Sequence, residues 1–288
     1  MNVTSKFTSC FAAAESLASK REPDLGALPE WNLADLYPSM ESPAFAEDLV
    51  RAARECKAFA DRYRGKLAEL AGEDDARGLA EAVQTYEKLE DLLGRIMSFA
   101  GLIYSGDTND STRAKFYGDT QDKITAASTD LLFFQLELNR LDHAVLARIA
   151  AGALKYYRPW LEDIRKEEPY QLDDKLEQIF HEKSVTGRSA WNRLFDETIS
   201  ALRFNIDDRE LTLEPALNLM QDRDQEVRKE ASDAIAATLK QNMRTFALIT
   251  NVLAKDKEIS DRWRGFQDVA DSRHLSNRVE REVVDALV

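Results

Sequence analysis

The 288-residue chain is 44% hydrophobic and 32% charged, as a globular protein is, and carries a net charge of −13. An acidic excess of that size excludes recognition of a nucleic-acid backbone or an anionic membrane surface, both of which need clustered Lys and Arg. The chain has no apolar run of about eighteen residues to span a membrane, and its two cysteines, Cys10 and Cys56, give neither a metal-ligand spacing nor a disulfide framework.

Residues 1–22 are rich in Ser, Thr and Ala and lack the charged start and apolar centre of a secretory signal, so they read as a disordered lead-in. Pro23 to Pro43 is turn-rich, with Trp31 and Tyr37 among prolines, and reads as a strap over a helical body. Helical periodicity then begins. Phe45, Leu49, Ala52, Cys56, Phe59, Tyr63 and Leu67 step by three and four to about Leu70, placing Cys56 on the inner face as a small core residue. A second stripe runs from Leu79 to about Tyr104 and a third from about Thr112 to Leu141, separated by the polar turn Asp107 to Ser111. Long helices joined by short turns pack as antiparallel neighbours, and these stripes are wider than a coiled-coil seam.

Shorter helices are expected over Ala144 to Ala151, Tyr156 to Lys166 and Asp173 to His181. The aromatic cluster Tyr156, Tyr157, Trp160 and Tyr170 is read as packing rather than as a peptide groove. Next comes FHEKSVTGRSAWNRLFDETISALRF, from Phe180 to Phe204, a loop and a helix. Gly187 permits the turn and Ser189 is the expected cap, with Trp191, Leu194, Phe195, Ile199 and Leu202 forming a stripe packed on a core. Phe204-Asn205-Ile206 and Leu211-Thr212-Leu213 alternate across Asp207-Asp208 as a hairpin. Helices follow over about Gln225 to Leu239 and Met243 to Ser260, and Val279, Val283, Val284 and Leu287 carry a helical pattern to Val288. Periodicity therefore gives a mainly α fold with one small hairpin.

Four segments together resemble the oligoendopeptidase F family, zinc peptidases related to thimet oligopeptidase. They are LPEWNLADLYPS from Leu28 to Ser39, the Glu182 to Phe204 run, LTLEPALNL from Leu211 to Leu219, and Arg264-Gly265-Phe266 with His274-Leu275-Ser276-Asn277. The resemblance spans about Leu28 to Val288. It implies a helical amino-terminal domain over 23–203, then the hairpin and first helices of a zincin-type catalytic domain over 204–288. It also implies a cytoplasmic enzyme that hydrolyses internal bonds of short peptides.

The family's chemistry rests on a His-Glu-x-x-His helix, in which two histidines one turn apart hold zinc and the glutamate activates metal-bound water. His143, His181 and His274 lie far apart, and Val185 stands where a second histidine would follow His181-Glu182. No catalytic or metal residue is therefore expected here, and zinc is implied only for a longer protein whose carboxy-terminal portion continues past Val288. The chain at hand is expected to supply channel wall and to be inert alone. Arg262, Arg264 and Phe266 are the candidate substrate-channel residues, since an Arg fork matches a peptide carboxylate; a helix-terminus ion pair is the plainer alternative. The rival function is a stand-alone helical peptide-binding or scaffold protein without catalysis.

Overall fold

Turn and cap residues divide the chain where apolar periodicity alone would run on. The computed structural model describes residues 31–73 and 75–288. The lead-in 1–22, Cys10 and the start of the Leu28 to Ser39 segment lie outside the described residues. Among those described, the fold is fourteen α-helices and one two-stranded antiparallel sheet. No helix among them is long and apolar enough to cross a membrane.

The strap is anchored by Tyr37, whose buried ring meets Phe45 and Phe99 edge-on at 5.1 and 5.3 Å. Its hydroxyl donates to Asp48 at 2.8 Å, while Trp31 is left exposed. Helix α1 (Pro43–Tyr63) starts at Ser42, whose hydroxyl accepts from the Phe45 amide, with Pro43 in the first turn. The first stripe is not one helix. Gly65 adopts φ +78° and donates its N–H to the Glu137 carboxylate at 2.7 Å, so α2 (Leu67–Gly72) sets off separately. Cys56 is fully buried, and burial pushes its thiol up to about 12.

Helix α3 (Arg77–Gly106) is the longest and lies against α1 and α4 (Ser111–Thr129), the latter capped by Asp110. The third stripe also breaks, at Asp130–Leu131, before α5 (Leu132–Asn139). Ser128 and Thr129 hydroxyls both bond back to the Thr125 carbonyl, at 3.2 and 2.9 Å, a pattern that bends helices. After α6 (His143–Ala151), α7 (Arg158–Arg165) and α8 (Asp174–Lys183), the helix α9 (Arg188–Ala201) begins at Gly187, so Ser189 lies inside the first turn and does not cap it. The α9 stripe reaches a core only at its end, where Leu202 packs on a small buried cluster around Phe204. It leans on α12 (Met243–Arg264) through Phe195 and Phe246 at 5.9 Å and stays half-buried, with Leu194 40% and Phe195 43% exposed.

In the hairpin, β1 (Phe204–Ile206) pairs with β2 (Arg209–Leu211), Ile206 opposite Arg209. The second strand thus lies two residues earlier than the alternation suggested. Asp207 and Asp208 both take positive φ, 50° and 56°, the geometry of a two-residue hairpin turn matched to strand twist. Leu213 already belongs to α10 (Leu213–Leu219), and α11 (Gln225–Gln241) covers the hairpin. The pattern before Val288 does not form one helix. Arg278 at φ +54° separates α13 (Asp271–Ser276) from α14 (Arg281–Asp285).

Two apolar clusters result. The larger draws on residues from Tyr37 to Ile164, and its centre is aromatic: Phe134 is fully buried, stacked on Tyr86 at 4.6 Å and edge-on to Phe59 at 5.1 Å. The smaller comprises Phe204, Ile206, Ala216, Ala231 and Ile235. Phe134→Ala is expected to cost about 3–5 kcal/mol, read as a lower urea midpoint at unchanged slope; a loss below about 1 kcal/mol would show that the surrounding rings close the gap.

Candidate functional site

Two walls enclose a cavity of about 900 Å³. One wall is the helical body, where α3 supplies Tyr86 and Glu90 and α5 supplies Gln135, Leu136 and Asn139. The other is α12 with the turn into α13, joined to the body by the 167–171 turn and α8. The second wall is placed by the end of α12. Gly265 takes φ +80°, the Phe266 amide donates to Asp261 O at 3.0 Å and the Gly265 amide to Arg262 O at 3.4 Å, which is a Schellman closure.

From that closure Arg264 reaches back to α8. Its two terminal nitrogens donate to the two Glu177 oxygens, each at 2.7 Å, and Nη1 also donates to Tyr170 O at 3.1 Å. Beside it Phe266 stacks on Tyr170 with centroids 4.0 Å apart. Burial works against the Glu177 charge, but the Arg264 fork and the Leu172 amide outweigh it and hold the carboxyl below its ordinary value. The same pairing raises Arg264. Further along α12, Lys257 bonds Asp261 and also Ser272 Oγ at 2.7 Å, tying α12 to α13.

Of the three residues marked in the sequence, Arg264 and Phe266 line the cavity and Arg262 does not; it pairs with Glu258 at 3.1 Å on the outer surface. Arg264 reaches the cavity with its fork filled by Glu177. From the aromatic cluster, Tyr170 lines the cavity and Tyr156 is exposed. The histidines stay apart. His181 lines the cavity with Nε2 2.9 Å from Ser128 Oγ and 3.3 Å from Thr125 O, whereas His143 is exposed near Glu168. Among the described residues no group of three or more His, Cys, Asp or Glu is arranged to hold a metal ion.

The sequence reading passed over the acids of this cavity. Glu90 and Glu167 line it, open to its solvent but walled closely enough that burial raises both carboxyls. A Tyr86 hydrogen bond opposes the rise at Glu90, and Arg264 opposes it at Glu167. The signal was present: Glu90 sits four residues after Tyr86 and three before Leu93, on the apolar stripe of α3, and Asn139 directly follows the buried Leu138.

Comparison with known proteins agrees with this architecture. The family profile described as Oligopeptidase F matches residues 137–204. Oligopeptidase PepF of Bacillus subtilis is 28% identical over 302 residues, covering 99% of this chain and 43% of that protein. The crystal structure of oligoendopeptidase-F from Enterococcus faecium superposes with a TM-score of 0.73 at 17% identity, covering 85% of this chain and 49% of the other. The chain thus spans less than half the length of either protein.

Removing Arg264 leaves Glu177 charged and half-enclosed, so Arg264→Met is expected to cost about 3 kcal/mol at neutral pH. Glu177 titrates below its ordinary 4.5, so the pair's contribution is complete above that pH. It drains away as pH falls through the lower folded value. Thermal unfolding at pH 7 and pH 3 should therefore show a large gap between wild type and variant that narrows in acid; an unchanged gap would remove the ion pair as its source.

Proposed function

We propose that the chain, which is similar to the oligoendopeptidase F family in profile, sequence and fold, is the amino-terminal portion of a zinc-dependent, cytoplasmic oligoendopeptidase that cleaves internal bonds of short peptides. The observation that carries this is likeness along 99% of the chain to a protein more than twice as long. In this reading residues 23–203 form the helical amino-terminal domain and residues 204–288 open the catalytic one. The separation of the two apolar clusters supports that division. The cavity of about 900 Å³ supplies channel wall, in which Arg264, through its fork to Glu177, and Phe266, through its stack on Tyr170, hold the lining in place.

Among the described residues none fit a zinc site. His181, the one histidine in the cavity with a following Glu, is engaged with Ser128 and Thr125 rather than facing a second ligand. The metal, with the general base that acts on its water, is assigned to a carboxy-terminal portion, and no hydrolytic step is assigned here. Apolar side chains left open on α9 and α12, such as Leu194, Phe195 and Leu248, give that portion a surface to cover.

The second reading, a peptide-binding or scaffold protein without catalysis, is favoured by the same observation about histidines. The intact gene product, isolated from its own cells, separates the two. The peptidase reading expects a mass well above 32.7 kDa, bound zinc, and cleavage of an internally quenched octapeptide that a chelator abolishes. The 288-residue chain alone should leave that octapeptide uncut. A metal-free product of 32.7 kDa would put the binding protein in its place.

A further inference from the structure

Some apolar side chains of the cavity belong to neither core. Helix α5 buries Phe133, Phe134 and Leu138 in the larger cluster, yet Leu132 and Leu136, one turn apart on another face, line the cavity. Across the gap stand Leu253 on α12, Phe266 in the turn and Leu275 on α13. These residues are half-buried and pack on neither apolar cluster. A helix needs one apolar stripe to fold onto a body. The second stripe of α5 faces other apolar groups across an open gap, which folding alone does not call for.

Apolar surfaces that face each other leave water when they meet or when a guest enters between them. Here they are held apart. The Arg264–Glu177 fork, with both contacts at 2.7 Å, and the Phe266–Tyr170 stack fix the end of α12 against α8 and the 167–171 turn. The gap of about 900 Å³ falls in the range of small-ligand pockets, about 300–1,000 Å³. A helix about 10–12 Å across would exhaust that volume in about two turns, so a helical segment does not suit it. An extended peptide does, because its side chains point alternately to opposite sides. Asn192 on α9 lines the same cavity, and its side-chain amide makes no hydrogen bond among the described residues. That amide carries both donor and acceptor, the complement of a peptide unit.

We infer that Leu132, Leu136, Leu253, Phe266 and Leu275 form a binding slot for a large apolar side chain, such as Leu or Phe, of a short extended peptide. Entry of that side chain removes apolar surface from water on the guest and on both walls together. The cations beside the slot, Arg264 and Lys257, are already committed to Glu177 and Asp261, so the selection rests on apolar area. The inference rests on the proposed peptide substrate and specifies which peptides the cavity selects.

Blocked, uncharged hexapeptides that differ only at one central position, as Leu, Ala or Gln, test it by calorimetric titration of the 288-residue chain. The Leu peptide is expected to bind at least about tenfold more tightly than the Ala peptide, the factor that burying its extra carbons supplies. The Gln peptide, similar to Leu in bulk but polar, should bind no better than the Ala peptide. The double variant Leu136→Ser/Leu275→Ser alters both walls and should cut the Leu preference to less than about threefold. Its thermal unfolding should change little, because neither side chain belongs to a core. Comparison of the peptides on the unaltered chain decides the matter even where that variant is unstable. Equal binding of the Leu and Ala peptides, no binding of any, or Gln binding as tightly as Leu would overturn the inference. So would a preference that survives in the folded variant. A longer, zinc-containing product that cleaves the Leu and Ala peptides with equal kcat/KM overturns this inference alone. A metal-free product of 32.7 kDa that keeps the preference overturns the peptidase reading alone.

Discussion

The fork between Arg264 and Glu177 is the constraint on which the cavity depends. It joins α12 to α8 across 87 residues of chain, at the point where α12 must stop. Gly265 makes the stop possible without strain, and the Phe266–Tyr170 stack repeats the connection in apolar form a few ångströms away. A pair like this adds little net stability, because each charge gives up hydration to enter it. What it contributes is position: two parallel hydrogen bonds fix distance and orientation together, which a single Lys contact does not. The cavity wall is therefore set by geometry at one helix end.

The two halves of the chain are built on different physics. The first half buries aromatic rings in mutual contact, and Phe59, Tyr86, Phe133 and Phe134 form a centre from which α1, α3 and α5 cannot slide independently. The second half, from α9 onward, has a five-residue buried cluster and otherwise leans on half-covered stripes. Its order relies on polar ties such as Lys257 to Ser272 and Arg264 to Glu177. A rigid body thus faces a wall held mainly by directional polar contacts, the part of the fold with the least apolar burial to oppose local opening.

Periodicity made much of the fold legible. The stripes of α1, α3 and α11, the hairpin and the short helices after Leu141 all follow from three-and-four or alternate spacing with local stops. The breaks were less legible because their causes are tertiary or local to hydroxyls. Gly65 turns where Glu137, far along the chain, waits for its amide, and Asp130 marks a bend made by Ser128 and Thr129 bonding backwards. Only the end of the α9 stripe, Leu202, packs on a core, because amphipathicity gives the direction of an apolar face but not how much protein covers it. In the cavity, Arg264 and Phe266 were visible through family likeness. Glu90, Glu167, Asn139 and Gln171 were not, since they come from α3, α5 and the 167–171 turn and line one cavity only in the fold.

A net charge of −13 makes the cavity's cations scarce, and how they are used follows from that scarcity. Arg264 and Lys257 are committed to Glu177 and Asp261, so neither is free to meet a ligand without leaving a carboxylate bare. The cavity arginines that form no ion pair among the described residues, Arg188 and Arg273, stand on α9 and α13, whereas Glu90 and Asn139 sit on the α3–α5 wall. Acids nevertheless stand on both walls, Glu90 on α3 and Asp256 and Asp261 on α12, so it is the committed ion pairs, and not a sorting of charge by side, that fixes which cavity groups remain open.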